Sequence, residues 1–267
     1  IGDTLYFSAD VTTNGTTTRA LFSTDGSAVS RLVDISAGAV LLGSSGNKTF
    51  FSISDAEHGA ELWMADAAKG TISLVKDLLP GTGSGLSGDV HPLMVGDKLV
   101  FQAYTAASNQ ALFISDGSAA GTLQLGGTLA ANQVFGNMLV YGDGTRVYGL
   151  DASAAQPAKV ELTGGTSALS KIQADADQAF FSLANGDLYA TNGTANGTFS
   201  LAHDVRAFKV VAENALYFIT QVTGGTGYIA GVLIRQLLAD GWQVHTTLRD
   251  LADLALQEIK RSREGEE

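Results

Sequence analysis

Four aspartates and an asparagine, Asp25, Asp66, Asp116, Asp151 and Asn192, recur at the same place in a short motif. Side chains of this type do one of two things at a turn. They accept hydrogen bonds from backbone N–H groups and hold the bend, or they join turn carbonyls in an oxygen cage for a cation such as calcium, at about 2.4 Å. Neither an EF-hand loop nor a glycine-rich nonapeptide calcium repeat is present, so turn-holding is the expected role and calcium the lesser alternative. A second polar group, Asp55, Glu57, His58 and Glu61 in DAEHGAE, falls in one expected loop and has the chemistry to hold a cation or a sugar hydroxyl. His58, His91, His203 and His245 lie far apart without metal-ligand spacing, and the absence of cysteine removes thiolate ligands and disulfides. No serine nucleophile elbow appears, and a carboxylate pair for glycoside hydrolysis cannot be picked from many turn aspartates without a distance. The residues therefore point to no metal centre and no catalytic group.

The elements that must position these residues repeat with them. An aliphatic residue, an aromatic, two variable residues and Asp or Asn recur as LFSTD (21–25), LWMAD (62–66), LFISD (112–116), VYGLD (147–151) and LYATN (188–192). Strand-like stretches precede each one, at 4–9, 49–54, 98–104, 138–143 and 179–184, and ALYFIT at 215–220 adds a sixth. Last strands follow at 30–35, 72–78, 122–127, 158–164 and 198–202, and first strands are visible at 39–44, 90–95 and 207–212. Pairs such as Gly96-Asp97 and Asp116-Gly117 supply the positive φ of tight hairpins, while β-branched and aromatic residues fill the strands. Four short antiparallel strands per unit of about 40 residues is the pattern of a propeller blade. The expected fold is mainly β: a β-propeller-like array of five to six four-stranded blades over residues 1–220. The first blade would lack its opening strand and the sixth its last two. In this arrangement Phe22, Trp63, Phe113, Tyr148 and Tyr189 pack between adjacent blades.

Charge and composition restrict the partners. Sixteen basic against 27 acidic residues give a net charge of −11, which repels polyphosphate and anionic membranes and argues against nucleic acid. The longest apolar run, YIAGVLI at 228–234, is far too short to cross a bilayer as a helix, so no membrane insertion is expected. The chain opens in mid-pattern with IGDTLYFSAD, which places any export signal upstream.

The copy AELWMADAAKGTISLVKDLLPGTGSG at 60–85 resembles a bacterial repeat family named for its Glu-Leu-Trp-x-x-Asp-Gly-Thr consensus. Glu61, Leu62, Trp63 and Asp66 match it, Leu74-Val75-Lys76-Asp77 matches its tail, and Ala67 departs from the usual glycine. The resemblance covers residues 1–220. It implies arrays in bacterial secreted or cell-surface proteins, commonly without catalytic function, that bind protein or glycan in adhesion or scaffolding. A hydrolase or lyase acting on carbohydrate at a propeller face is the alternative.

After residue 220 the period changes. In VTGGTGYIAGVLIRQLLADGWQVHTTLRD (222–250), Ile229, Val232, Leu233 and Leu237 fall at helical spacing, Asp240-Gly241 ends the helix, and WQVHTTL reads as a strand. The stretch resembles the opening of an extended short-chain dehydrogenase/reductase, whose glycine turn matches Thr223, Gly224, Gly227 and Ala230. That resemblance implies a cofactor pyrophosphate at a helix N-terminus and Arg249 against the 2′-phosphate of NADP. Only 40 residues follow Gly227, and no tyrosine has lysine four positions on. The expectation is a vestigial site on a short α/β or helical appendage, residues 221–267, ending in a charged helix, and a chain that is not a working reductase. Open strand edges at the ends of the array invite self-association.

Overall fold

A computed structural model describes residues 3–36, 38–106, 109–211, 215–220 and 243–244. Among these residues there is no helix, and every sheet but one is wholly antiparallel. The first sheet has three strands, β1 (Leu5–Thr13), β2 (Thr16–Thr24) and β3 (Val29–Ile35). Four sheets of four strands follow. They are β4 to β7 (Ala39–Ser45, Lys48–Asp55, Gly59–Asp66, Thr71–Lys76), β8 to β11 (Leu93–Val95, Lys98–Ala106, Asn109–Ser115, Leu123–Gln124), β12 to β15 (Ala131–Phe135, Met138–Gly142, Val147–Asp151, Lys159–Glu161) and β16 to β19 (Leu169–Ala174, Ala179–Leu183, Leu188–Thr191, Thr198–Ala202). The last sheet joins β20 (Val205–Val211) to β21 (Ala215–Thr220) and to the two-residue β22 (Gln243–Val244). Among the described residues these make six blades of a β-propeller-like array, the first five each a meander in chain order. Among the described residues blade one has no first strand, and blade six has no antiparallel third or fourth strand.

The strand interiors explain the stacking. Side chains alternate across a strand, so each blade has a face toward the previous blade and one toward the next. On the backward face, cross-strand aromatic pairs repeat: Phe101 with Phe113 at 5.7 Å between ring centroids, Tyr141 with Tyr148 at 5.5 Å, and Phe181 with Tyr189 at 5.2 Å. Each lies against the aliphatic forward face of the blade before it. Phe101 and Phe113 join Leu42, Phe50 and Leu62 in one cluster, Tyr141 joins Val100, Leu112 and Ile114, and Phe181 joins Val140, Val147 and Leu162. A fully buried Phe or Leu contributes about 1.5–3 kcal/mol, so these inter-blade layers are the core. Trp63, Phe113, Tyr148 and Tyr189 therefore sit as the repeat predicts. Phe22 differs. It stacks on Phe7 at 5.5 Å, but among the described residues no blade lies behind it.

The third and fourth strands share a register device. A bulge falls at the aliphatic-to-aromatic step of the motif in three blades, at Leu21/Phe22, Leu62/Trp63 and Leu188/Tyr189. A bulge adds twist and re-aims the side chains beside it. Two departures from the expected strands have local causes. The strand expected at 90–95 is confined to Leu93–Val95, after Pro92, which has no N–H for a ladder. First strands β12 and β16 are present although their sequences, ANQVF and LSKIQA, carry little apolar alternation.

At the far end, Gln243 and Val244 realise part of the strand expected in WQVHTTL. They pair parallel with Ala215 and Leu216, the sense that needs a crossover connection. The glycine turn, the helix expected after it and the charged C-terminal segment lie outside the described residues.

Candidate functional site

The meander sorts every connection to one of two ends. At one end lie the hairpins between first and second strands and between third and fourth strands. At the other lie the turns between second and third strands, together with the loops that cross to the next blade.

The hairpin end holds the recurrent Asx residues. Asp25 Oδ1 accepts from the N–H and hydroxyl of Ser27 and from the N–H of Ala28. Asp116 and Asp151 do the same to Ser118 and Ser153, and Asn192 to Thr194. Asp66 takes the N–H groups of Ala68 and Lys69 and an ion pair to Lys69 at 2.8 Å. These donors bind the charged form. Ser27 and Ala28 hold the Asp25 carboxyl down at about 2. At Asp116 burial pushes upward, but the Ser118 bonds and the Lys48 and Lys98 charges outweigh it.

The residue after the Asx decides how the turn is finished. Where it is glycine, φ is close to +90°, and its N–H goes to a hydroxyl two residues back: Gly26 to Thr24, Gly117 to Ser115, Gly193 to Thr191. Where it is alanine, no such hydroxyl exists, because Ala65 and Leu150 stand at that position. Ala67 and Ala152 instead donate to the carbonyls of Asn47 and Asn137 in the neighbouring hairpin. The departure of Ala67 from the repeat consensus is thus absorbed by Asn47. Lysines then clasp one blade to the next. Lys48 Nζ donates to the Asp116 carbonyl at 2.6 Å, and Lys98 Nζ to the Ala152 carbonyl.

The crossover end is less regular. Asp55 and His58 meet there, with Nδ1 at 2.9 Å from Oδ2, and Asp55 also accepts the N–H groups of Glu57 and His58. Burial pushes the Asp55 carboxyl up, yet the bonds from His58 and Glu57 bring it below the usual range. The same bond raises the His58 imidazole. Two further histidine–aspartate pairs lie at this end, His91 with Asp89 at 3.2 Å and His203 with Asp187 at 2.5 Å. Arg146 pairs with Glu161 at 2.5 Å beside the Asp143 turn. Backbone strain concentrates here as well. Asn14, His91 and Asp204, the non-glycine residues with positive φ among those described, all fall in its turns and loops, a conformation that costs energy and gathers at working surfaces.

Glu61 does not join the group that DAEHGAE suggested. It is 0% exposed, and its carboxylate accepts the N–H groups of Leu78 at 2.8 Å, Leu79 at 3.3 Å and Gly85 at 2.6 Å. Burial raises its carboxyl, against the pull of those three donors. It pins the loop that crosses from β7 to β8. Gly59, with φ +68°, belongs to the same arrangement, since a Cβ there would run into the Gly83 carbonyl. In the next blade Gln102 does similar work, accepting the Leu129 N–H at 3.0 Å. Neither role was expected from the sequence, because the partners lie 17 to 27 residues away. An acid or amide inside an apolar strand, as in AELW and LVFQA, is the available signal.

Among the described residues no group of three or more His, Asp or Glu side chains is placed to hold a metal ion, and no helix is long and apolar enough to cross a membrane. Thr223, Gly224, Gly227, Ala230 and Arg249 lie outside the described residues.

No protein-family model matches the chain, and no curated protein matches its sequence. Solved structures similar to it include a computationally designed protein (16% identical, TM-score 0.36, covering 79% of this chain and 66% of that one). Others are apo AztD from Citrobacter koseri (11% identical, TM-score 0.35, covering 79% and 65%) and PorZ, a bacterial surface component of the type-IX secretion system of Porphyromonas gingivalis (11% identical, TM-score 0.40, covering 76% and 36%). The chain spans just under two thirds of the first two and about a third of PorZ.

Proposed function

We propose that the chain is a non-catalytic binding or scaffolding module of a bacterial secreted or cell-surface protein, of the Glu-Leu-Trp-x-x-Asp-Gly-Thr repeat type, and that its crossover end is the face that meets a protein or glycan partner. One observation carries this reading: both ends use Asx turn bonds, but the loops between blades at the crossover end differ from one another, with the buried Glu61 carboxylate holding one and Gln102 another. Architecture explains what repeats. The strained non-glycine backbone and the His91–Asp89 and His203–Asp187 pairs of the other end do not repeat from blade to blade, and loops on a rigid scaffold are where binding residues gather. A chain of charge −11 suits a basic protein segment or a hydroxyl-rich sugar.

A glycan array and a pull-down from bacterial surface material test the reading, using the unmodified chain beside Asp89→Lys at the crossover end and Asp177→Lys at the hairpin end. Binding lost in the first variant and kept in the second supports it. Turnover of a glycoside substrate abolished by a single Asp or Glu substitution would overturn it in favour of a carbohydrate-active enzyme. For the glycine turn at 223–230 we propose no working cofactor site. Micromolar NADP binding by calorimetry, lost in Gly227→Val, would reverse that.

A further inference from the structure

We propose that the fold singles out Asn14 for spontaneous covalent modification: the carboxamide at the tip of the β1–β2 hairpin closes to a succinimide and opens to aspartate or isoaspartate. The sequence supplies an internal control. Asn-Gly-Thr is written three times, at 14–16, 192–194 and 196–198, and Asn185-Gly186 is a fourth Asn-Gly pair. In each pair the attacking nitrogen belongs to a residue with no Cβ to crowd it, so the three identical triplets start equal in local chemistry. The structure separates them.

Ring closure needs a free glycine N–H and an asparagine side chain free to turn toward it. At three pairs the fold has taken one or both. Gly186 N–H donates to the Leu183 carbonyl at 3.0 Å, and the Asn185 carboxamide bonds Asp187 through both its oxygen and its nitrogen. Gly193 is buried, its N–H donates to Thr191 Oγ1 at 2.9 Å, and Asn192 Oδ1 accepts from the N–H and hydroxyl of Thr194. Gly197 N–H donates to Thr194 Oγ1 at 3.1 Å. At the hairpin tip neither the Asn14 carboxamide nor the Gly15 N–H has a hydrogen-bond partner among the described residues, and both residues are exposed. The tip is also free to open. Asn14 and Gly15 are the central residues of a tight turn, with φ of 53° and 80°, a shape that ring closure must leave. Residues 12–19 are all exposed, and between Asp10 and Arg19 only Val11 is partly buried. Leaving the turn therefore disturbs no core side chain, and local opening is easiest at such places.

The reaction consumes only water. The Gly15 nitrogen gives its proton to hydroxide and bonds to Asn14 Cγ, the Cγ–Nδ2 bond breaks, and ammonia leaves with a proton taken from water. Water then opens the ring, giving aspartate by attack at Cγ and isoaspartate by attack at the main-chain carbonyl. No electrons are transferred. Either product adds a negative charge at the crossover end of a chain already at −11. Isoaspartate also adds a methylene to the main chain, which the Thr13↔Thr16 pairing around this turn does not accommodate. The site stands whatever that end of the array binds.

The unmodified chain is held at mildly alkaline pH and digested, each site is followed by mass spectrometry, and isoaspartate methyltransferase labelling identifies the isoaspartyl product. Expected is conversion at Asn14 at least about tenfold faster than at Asn185, Asn192 or Asn196, the effect of having no hydrogen bond to break first. In urea, where no fold distinguishes them, the three Asn-Gly-Thr sites should convert at rates within about threefold of one another. Asn14 converting no faster than Asn192 or Asn196 in the folded chain overturns the proposal. So does a tenfold lead of Asn14 that persists in urea, because the fold would then not be its cause.

Discussion

The two ends of the blade array are built from the same strands and yet hold together differently. At the hairpin end a single bond scheme, Asx to the N–H two residues on, is written five times, and substitutions within it are absorbed locally, as Asn47 absorbs Ala67. At the crossover end the turns between second and third strands use the same Asx scheme, at Asp55, Asp143 and Asn185, but the loops between blades have their own anchors, buried Glu61 for one and Gln102 for another. Redundant small bonds make a scaffold that tolerates change. Single large anchors hold loops that differ from each other, which is the arrangement a binding face needs.

Breaking an anchor should therefore cost more than breaking a turn. Glu61→Ala leaves three backbone N–H groups without their acceptor, two of them in buried positions. At about 1–3 kcal/mol for each unsatisfied buried group, the loss should be on the order of 3 kcal/mol or more. Urea unfolding measures it, and amide exchange should rise at Leu78 and Gly85 in particular. A loss no larger than that of a turn variant would remove the distinction between the ends. Asp116→Ala and Asp151→Ala at the hairpin end should each cost about 1 kcal/mol, Asp116 the more of the two because the Lys48 and Lys98 charges also favour its carboxylate.

These two ends were unequally legible from sequence. The Asx turns could be read because donor and acceptor are neighbours, so the position of Asp116 in LFISDGS already implies its partner. The aromatic second and third strands were legible for a similar reason: their side chains fill one repeating layer. Strands β12 and β16 were not, since ANQVF and LSKIQA are half-exposed edges whose identity comes from pairing with β13 and β17. Glu61 was read as part of a polar loop because a single chain does not show that residues 78–85 fold back over it. The lysine clasps cross 54 to 68 residues and share that property.

A smaller effect tests whether the inter-blade layers tolerate a polar atom. The Tyr141 hydroxyl is buried and has no hydrogen-bond partner among the described residues, and burial raises its phenol well above the ordinary value. Tyr141→Phe removes a desolvated group without removing a bond, so it should be neutral or stabilise by up to about 1 kcal/mol. Thermal unfolding decides the sign. A clear destabilisation would mean that the hydroxyl is satisfied in solution.

The smallest expected effect is a proton rather than a stability, and it probes the crossover end alone. His58 gains its raised pKa first from the side-chain bond to Asp55, against a downward pull from burial, with the charges of Asp55, Asp77 and Glu57 assisting. Because the folded value lies above the 6.5 of a free imidazole, the contribution of this group to stability is full below 6.5 and is lost as pH rises through the folded value. Asp55 behaves in the opposite sense: its lowered carboxyl contributes above the ordinary 3.8 and loses that contribution as pH falls through the folded value. The pair is thus fully engaged only in the window between the two, the mildly acidic range. Imidazole resonances followed by NMR should place the His58 midpoint above 6.5, and Asp55→Asn should bring it down, since the partner then keeps its shape but not its charge. A His58 midpoint unmoved by Asp55→Asn would show that the bond between them does not persist in solution, and the crossover end would lose one of the anchored features that set it apart from the hairpin end.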